Sequence, residues 1–216
     1  MLPLWLRENL RVKDLMQTDA CTIYRYLQQQ NLLADAPQYW WPNAGSFEVI
    51  VGAVLTQNTT WKNVEKSLKN LEGFLTLESF ITLDEELLKS KIKPSGFYNQ
   101  KAPRLLTLAN NIKKSFSTFE IFQKNVTRNW LLEQKGIGQE SADAILCYGC
   151  FRAEMVIDTY TKRLLQQQFD LKLKTYDEYK SFFEEGLRVC FDQTQLFEAF
   201  ASLHGMIVEY NKAKKL

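Results

Sequence analysis

Histidine and cysteine are scarce in this sequence. It contains one histidine, His204, and four cysteines, none of them after Cys190. One histidine and the neighbouring pair Cys147 and Cys150 offer too few ligands for a structural zinc site, so we expect the pair to be small packed residues. Excess positive charge is missing too, because 27 Lys and Arg face 25 Asp and Glu. Any binding to nucleic acid must therefore depend on a local basic surface.

Long apolar segments are also missing. No run approaches the roughly 20 residues that a membrane-spanning helix needs. The first ten residues contain Arg7 and Glu8 and lack the apolar centre of a signal peptide. We therefore expect a cytoplasmic protein that does not associate with membranes. Its 216 residues suffice for one large domain or two small ones.

Helical periodicity runs through most of the sequence. Between Phe47 and Leu55, apolar residues recur at the spacing of one helix face. Similar patterns predict helices at 61–72, 84–91, 99–115, 118–125, 127–134, 140–149, 159–169, 176–190 and 193–211. Residues that suit helix N-caps are Ser46, Thr127 and Asp177. No segment alternates like a β-strand, so the predicted fold class is all-α.

Residues 131–148 are the most informative stretch, because Gly136-Ile137-Gly138 separates two helical patterns. A Gly-x-Gly turn before a helix exposes backbone amides that suit a phosphate group. Asp158 then stands at the start of a further predicted helix. The turn alone could be an ordinary helical hairpin, and Asp158 could be an ordinary N-cap. Together they favour one site that binds a nucleic-acid backbone and a second, nearby site that catalyses a reaction.

The same residues resemble the helix-hairpin-helix DNA glycosylases of the endonuclease III superfamily. That family has the motif L-x-x-x-x-G-[IV]-G-x-x-[ST]-A followed by V-D-T-x-x-x-R, which segments 131–142 and 157–163 match closely. The resemblance covers roughly residues 37–212. A closer similarity, to the bacterial 3-methyladenine DNA glycosylase III branch, is carried by segments 40–44, 52–59, 94–102 and 135–148.

This resemblance implies two helical lobes with an active-site cleft between them. Residues 46–150 would form a helical barrel lobe that contains the helix-hairpin-helix at 131–148. Residues 1–45 and 151–216 would form the second lobe, with Asp158 at the base of the cleft. Many relatives hold an iron–sulfur cluster on four closely spaced C-terminal cysteines. The sequence lacks such cysteines, so we expect neither that cluster nor another cofactor.

Asp158 is the catalytic residue that the resemblance implies. A carboxylate near the sugar would stabilise the positive charge that develops as the N-glycosidic bond breaks, and it could orient a water molecule. Bifunctional relatives have a lysine at position 140, whose amine forms a Schiff base with the sugar. Glu140 cannot do so, and we therefore expect no strand-cleaving lyase activity. Glu140 could line the base pocket, or it could simply be an acidic residue whose charge interacts favourably with the helix dipole.

The turn has two implied ligands. Gly136, Ile137 and Gly138 would hold a DNA phosphate through their amides, and the backbone carbonyls of Gln134–Gly138 would hold a monovalent cation. No other metal is expected. Lys135 could contact another phosphate, or it could be an inert surface residue.

Two further segments match parts of the family that enter the duplex. Gln57 matches the residue that fills the gap left by a flipped base, although it could be an ordinary polar residue at a helix end. Phe97 matches a wedge between bases of the opposite strand. Beside it, Tyr98 is expected to pack and Lys101 to contact backbone.

An aromatic run at residues 39–42 precedes these segments. Its tryptophans could fill the seam between the lobes, or they could form an electron-rich slot for a base. N-alkylated purines such as 3-methyladenine are cationic, and each cation–π contact contributes about 0.5–2 kcal/mol. The candidate base pocket consists of Trp40, Trp41, Pro42, Trp61, Glu140 and Lys212. Lys212 could equally be a solvated tail residue, and His204 a satisfied helix residue.

We therefore predict a monomeric, monofunctional DNA glycosylase of base excision repair. It would flip N3-alkylated purines, chiefly 3-methyladenine, out of duplex DNA and hydrolyse their glycosidic bonds. A cationic purine is already a good leaving group, which agrees with the lack of a histidine near the motif. Two alternatives remain open: a glycosylase for another damaged or mismatched base, and a non-catalytic helix-hairpin-helix module that binds DNA.

Overall fold

The computed structural model describes residues 19–214, so the expectation for the first ten residues lies outside this range. Within it there are helices and no β-strand, which confirms the all-α prediction. No helix among these residues is both long enough and apolar enough to cross a membrane. The chain divides into two compact units. Pro37–Val156 is the hairpin unit, and the described residues on either side of it form the terminal unit.

Twelve α-helices are present among the described residues. They are α1 (Ala20–Gln28), α2 (Phe47–Leu55), α3 (Trp61–Asn70), α4 (Leu77–Phe80), α5 (Glu85–Ile92), α6 (Tyr98–Phe116), α7 (Phe119–Asn125), α8 (Arg128–Leu132), α9 (Gln139–Ala144), α10 (Thr159–Phe169), α11 (Tyr176–Leu187) and α12 (Leu196–Lys214). A 3₁₀ turn at Lys93–Ser95 follows α5, and a π-helical segment at Ile145–Gly149 continues α9.

Apart from shifts of a few residues at helix ends, the helices differ from the prediction in three places. The predicted helices do not include α1, which Asp19 caps by accepting a hydrogen bond from the Thr22 backbone at 2.7 Å. They also do not include α4, which has only four residues. The uninterrupted helix predicted at 140–149 instead widens into the π-helical segment. There the Tyr148 carbonyl accepts a 2.7 Å hydrogen bond from the Gly45 backbone, outside the helix.

Two of the three predicted N-caps also differ. Thr127 caps α8 as predicted, because its hydroxyl accepts from the Trp130 backbone at 3.1 Å. Ser46 precedes α2, but its side chain makes no capping bond. Thr175 caps α11, so Asp177 lies inside the first turn, where its negative charge interacts favourably with the helix dipole.

The hairpin unit is assembled around α2. All residues of this helix except Glu48 are buried. The helix packs against α3, α6, α9 and the π-helical segment. A helix that is apolar on every side has to be enclosed by its neighbours, which explains its central place. Its last residue, Leu55, leads directly into the segment that contains Gln57.

The predicted lobe boundaries, after residues 45 and 150, differ from those of the two units. Residues 37–45 and 151–156 belong to the hairpin unit. Gly45 is held there by its bond to the Tyr148 carbonyl. Arg152 is held by hydrogen bonds from its guanidinium to backbone carbonyls of α7. The terminal unit is therefore smaller than predicted.

The terminal unit is assembled around α12, which packs against α1, α10 and α11. A disulfide within this unit joins Cys21 and Cys190, which are 169 residues apart in sequence. This disulfide was not predicted from the sequence, because only the packing of α1 brings the two sulfurs together. Cys147 and Cys150, in the hairpin unit, are thiols that take no part in a disulfide. Burial raises the pKa of Cys150 to about 12, so it remains a neutral thiol at physiological pH.

A buried ion pair joins the two helices of the hairpin. Arg128 of α8 donates through Nε to one carboxylate oxygen of Asp143 at 2.7 Å and through Nη2 to the other at 3.1 Å. The Asp143 side chain is fully buried, whereas that of Arg128 is 25% exposed. Two parallel charge-assisted bonds fix the angle between α8 and α9 as well as their separation.

Removing Arg128 should destabilise the protein. In Arg128→Ala the buried carboxylate of Asp143 loses both hydrogen bonds from the guanidinium group, and we expect the free energy of unfolding to fall by about 3 kcal/mol. Urea denaturation would measure the change. Lys114→Ala, at an exposed position of α6 in the same unit, should stay within about 0.5 kcal/mol of the native protein. A loss for Arg128→Ala no larger than that control would contradict the role given to the ion pair.

Candidate nucleic-acid interface and catalytic carboxylate

The turn between α8 and α9 contains two glycines with different requirements. Gly136 has a φ of +88°, and a Cβ there would lie 2.6 Å from Cδ of Arg104. Gly138 has an ordinary φ of −95°, and no atom lies within 4 Å of the position of its Cβ. The fold therefore requires glycine at 136 but not at 138. Glycine at 138 instead leaves the exposed face of the turn clear for close approach by another molecule.

The implied cation would use backbone carbonyls of the same turn. The Gln134 carbonyl accepts from the Ile137 backbone at 3.0 Å, and the Gly136 carbonyl accepts from Gln57 Nε2 at 2.9 Å. A carbonyl oxygen has two lone pairs, so both can still ligate a hard cation. The turn could therefore supply carbonyl ligands to the implied monovalent cation, and binding of that cation stays a prediction.

Gln57 is bound to the hairpin. It follows α2 by two residues, and its amide nitrogen donates to the Gly136 carbonyl at 2.9 Å and to the Ser141 hydroxyl at 3.0 Å. The predicted plug and the predicted phosphate-binding turn therefore form one hydrogen-bonded group. Entry of Gln57 into a duplex would require these two bonds to be exchanged for new ones.

Phe97 lies on the surface of the hairpin unit. It is 58% exposed and has a φ of +49° immediately before α6. An exposed aromatic ring with left-handed backbone suits a wedge but contributes little to folding. Lys135, the other predicted surface contact, is exposed as well. Lys101 is buried instead, and it contacts backbone carbonyls of the protein itself.

The structure brings the predicted tryptophans together in the hairpin unit. The ring of Trp41 lies 6.2 Å from that of Trp40 and 5.5 Å from that of Trp61. It also lies 5.2 Å from the ring of Tyr148, which the sequence analysis did not single out as part of the pocket. Trp41 is buried, whereas Trp40 and Trp61 are half-buried. Pro42, next in sequence, is half-buried.

The two charged pocket candidates are both exposed. Glu140 lies in the first turn of α9, where its charge favours the helix dipole. Lys212 lies near the end of α12 in the terminal unit, with its ammonium group 2.8 Å from the Glu209 carboxylate. Its exposure and its ion pair agree with the solvated-tail alternative, while its place in a base pocket stays a prediction.

Asp158 begins α10 in the terminal unit, at the N-cap that its sequence position predicts. One carboxylate oxygen, Oδ1, accepts from the Thr161 backbone at 2.7 Å and from the Thr161 hydroxyl at 2.8 Å. The other oxygen, Oδ2, lies 3.5 Å from Nε2 of His204 on α12. The cap therefore occupies one oxygen and fixes the orientation of the carboxylate, while the second oxygen faces a histidine.

The position of His204 corrects the prediction that no histidine lies near the catalytic motif. It is buried on α12, and only packing between α10 and α12 brings it to Asp158. Burial on its own would raise the pKa of Asp158. The hydrogen bond and charge of His204, together with the bonds from Thr161, outweigh burial and lower the pKa below its usual 3.8. Asp158 is therefore ionised at neutral pH.

The sequence profile of the HhH-GPD superfamily of base excision DNA repair proteins matches residues 51–188. The chain belongs to this superfamily. A protein of Methanocaldococcus jannaschii described provisionally as a DNA repair glycosylase, MJ1434, is 39% identical over 183 residues, which cover 81% of this chain and 80% of the relative. Endonuclease III of Thermotoga maritima is 26% identical over 167 residues, covering 77% and 73% of the two chains.

Solved structures of this superfamily share the fold. An H. pylori 3-methyladenine DNA glycosylase, MagIII, in complex with 1,N6-ethenoadenine, is 43% identical with a TM-score of 0.86. That match covers 91% of this chain and 99% of the other. A non-covalent complex of endonuclease III with DNA superposes with a TM-score of 0.69 at 18% identity, over 91% and 87% of the two chains. This protein is therefore a DNA glycosylase of the base excision repair type.

Two variants should separate the structural role of Asp158 in this glycosylase from its charge. Asparagine is as good an N-cap as aspartate, so Asp158→Asn should be more stable than Asp158→Ala by about 1 kcal/mol at pH 7. The lowered pKa adds stability that is complete above about pH 4 and is lost as the pH falls through the folded-state value. The stability gap between native and Asp158→Asn protein should therefore narrow in acid. Denaturation with urea between pH 3 and 7 would measure both effects, and a gap that widened in acid would contradict the assignment.

The two glycines of the hairpin should respond differently to alanine. Gly136→Ala forces a side chain into a left-handed conformation and against Arg104, so we expect a loss of about 1–3 kcal/mol. Gly138→Ala, its matched control, should leave thermal stability unchanged. It should nevertheless weaken binding to duplex DNA, because the methyl group stands on the face that a phosphate would approach. Unchanged DNA affinity in folded Gly138→Ala protein would disprove that use of the turn.

Proposed function

We propose that this glycosylase removes N3-alkylated purines, chiefly 3-methyladenine, from duplex DNA. The observation that carries this proposal is the 43% identity to a 3-methyladenine DNA glycosylase over 91% of the chain. The cluster of Trp40, Trp41 and Trp61 supports it, since the faces of tryptophan rings attract a cationic purine. Trp40 has a φ of +65°, an unfavourable backbone conformation that is common at functional sites.

We further propose that the enzyme is monofunctional. A lyase needs an amine that can attack the sugar and form a Schiff base. The position where bifunctional relatives have that lysine holds Glu140, which is exposed and begins α9. A carboxylate cannot form the imine, so water is the proposed nucleophile. The proposed reaction uses neither an iron–sulfur cluster nor another cofactor.

The proposed chemistry centres on Asp158. The bond between C1′ of the sugar and the purine nitrogen breaks, and its electron pair neutralises the positive charge of the alkylated base. Positive charge then develops on the sugar, where an ionised carboxylate stabilises it. Water adds to C1′ and releases a proton to the carboxylate or to solvent. Because the N-cap bonds hold Oδ1, we assign these roles to Oδ2, which also lies 3.5 Å from Nε2 of His204.

The proposed grip on DNA uses the turn at Gly136–Gly138. Its amides lie at the start of α9, where the partial positive charge of the helix favours a phosphate. The clear face at Gly138 supports close approach by the DNA backbone. Because the net charge is only +2, DNA binding would depend on local positive charge near the turn, and the affinity should fall as salt rises. We propose that the protein acts on duplex DNA as a cytoplasmic monomer.

Release of methylated bases from methylated duplex DNA tests the proposal. Native protein should release 3-methyladenine, resolved by chromatography, and strands should break only after hot alkali. Asp158→Asn should lower the rate by on the order of 10²–10³ while DNA binding survives. A duplex containing 1,N6-ethenoadenine is a second probe of binding and release, since a similar protein has been solved with that base bound.

Other results would point elsewhere. Strand breaks without alkali would exclude a monofunctional enzyme. Efficient release of a different lesion, such as thymine glycol, would replace the proposed substrate. Release that is unaffected by Asp158→Asn would remove the assigned catalytic residue. DNA binding without turnover on any damaged base would favour the binding-module alternative for this protein.

A further inference from the structure

The ammonium group of Lys101 lies inside the hairpin unit. The residue is 2% exposed, and Nζ donates to the Leu55 carbonyl at 2.8 Å and to the Ser95 carbonyl at 2.9 Å. Burying a charge is unfavourable unless hydrogen bonds replace its hydration. Burial lowers the pKa of Lys101 to about 8, while the two carbonyls favour the protonated form. The group is therefore mostly charged at neutral pH.

Each of these carbonyls stands two residues before a side chain that is proposed to enter the duplex. Leu55 ends α2 and is followed by Gln57. Ser95 ends the 3₁₀ turn and is followed by Phe97. The backbone N–H of Lys101 also donates to the Phe97 carbonyl at 2.9 Å. One residue thus contacts both segments, which are far apart in sequence.

Each segment is also anchored at a second point. The Ser95 hydroxyl donates to the Ile92 carbonyl at 2.8 Å, which ties the 3₁₀ turn to α5. The Gln57 side chain is bound to the hairpin turn through Gly136 and Ser141. Lys101 is therefore a direct link between two segments that are otherwise attached to different helices.

We propose that Lys101 is a positioning residue that sets the spacing between Gln57 and Phe97, so that both enter the duplex at one lesion. The inference rests on the proposed function, because only a base-flipping enzyme needs the two insertions to coincide. Lys101 is buried and acts through the two backbone segments. Binding to intact duplex uses the hairpin turn, which Lys101 does not contact through its side chain, so its loss should affect lesion recognition selectively.

Lys101→Met tests the inference, because methionine keeps most of the side-chain volume and removes both hydrogen bonds. The probes are two duplexes of the same sequence, one of them with a tetrahydrofuran abasic-site analogue. We expect the ratio of their affinities to fall about tenfold, the effect of losing a hydrogen bond to a charged group. The affinity for the intact duplex should change less than about twofold, which is the usual effect of a substitution that does not touch the binding surface.

Lys91→Met is the matched control. Lys91 also donates from its ammonium group to a backbone carbonyl, that of Asn70, at 2.8 Å in the same unit. It contacts neither inserting segment, so the affinity ratio should stay at its native value. A ratio that fell equally in both variants would show a general effect of losing a lysine–carbonyl bond and would overturn the inference.

A double-mutant cycle with Gln57→Ala and Phe97→Ala gives a test that does not require Lys101→Met to fold. If the two side chains enter together, their effects on the affinity ratio should be non-additive by at least about threefold. Additive effects would overturn the inference. A native preference for the abasic duplex that persists in folded Lys101→Met would overturn it as well, leaving the proposed function intact. A native protein that bound both duplexes alike would contradict the proposed function itself.

Discussion

The left-handed conformation of Gly136 is the constraint on which the hairpin unit depends. The chain reverses between α8 and α9 through this residue, and the stem of Arg104 fills the space where a Cβ would stand. The ion pair between Arg128 and Asp143 then holds the two helices at a fixed angle. The Gly136 carbonyl is in turn the anchor for Gln57. The backbone conformation of Gly136 thus helps to set the relative positions of α8, α9 and the segment that contains Gln57.

Most of the fold could be predicted because burial of one helix face leaves a period of 3.6 residues in the sequence. The predictions failed where other forces decide the local structure. The helix at Leu77–Phe80 is too short to show a period and is held by a capping box between Thr76 and Ser79. The π-helical segment and the unit boundaries depend on bonds to distant residues, such as that between Gly45 and Tyr148. No local pattern reveals such partners.

The residues of the candidate site also differ in whether local sequence or tertiary packing determines their contacts. Asp158 was predictable as an N-cap because its partner Thr161 lies three residues away. The approach of His204 was not, since it depends on how α12 packs against α10. The buried state of Lys101 also depends on helix packing, and its sequence motif indicated only a contact with backbone. Family motifs identify which residues matter, whereas their partners emerge from tertiary packing.

The contacts of Gln57 bear on how undamaged DNA is rejected. If this side chain enters the duplex, it must first give up its bonds to Gly136 and Ser141. An intact stack offers no gap and no unpaired base edge, so the exchange would lose roughly 0.5–1.5 kcal/mol for each bond. Where a base has been flipped out, the unpaired base on the opposite strand can replace Gly136 and Ser141 as the hydrogen-bond partner of Gln57. The resting hydrogen bonds of Gln57 would then act as an energetic threshold against its insertion at undamaged positions.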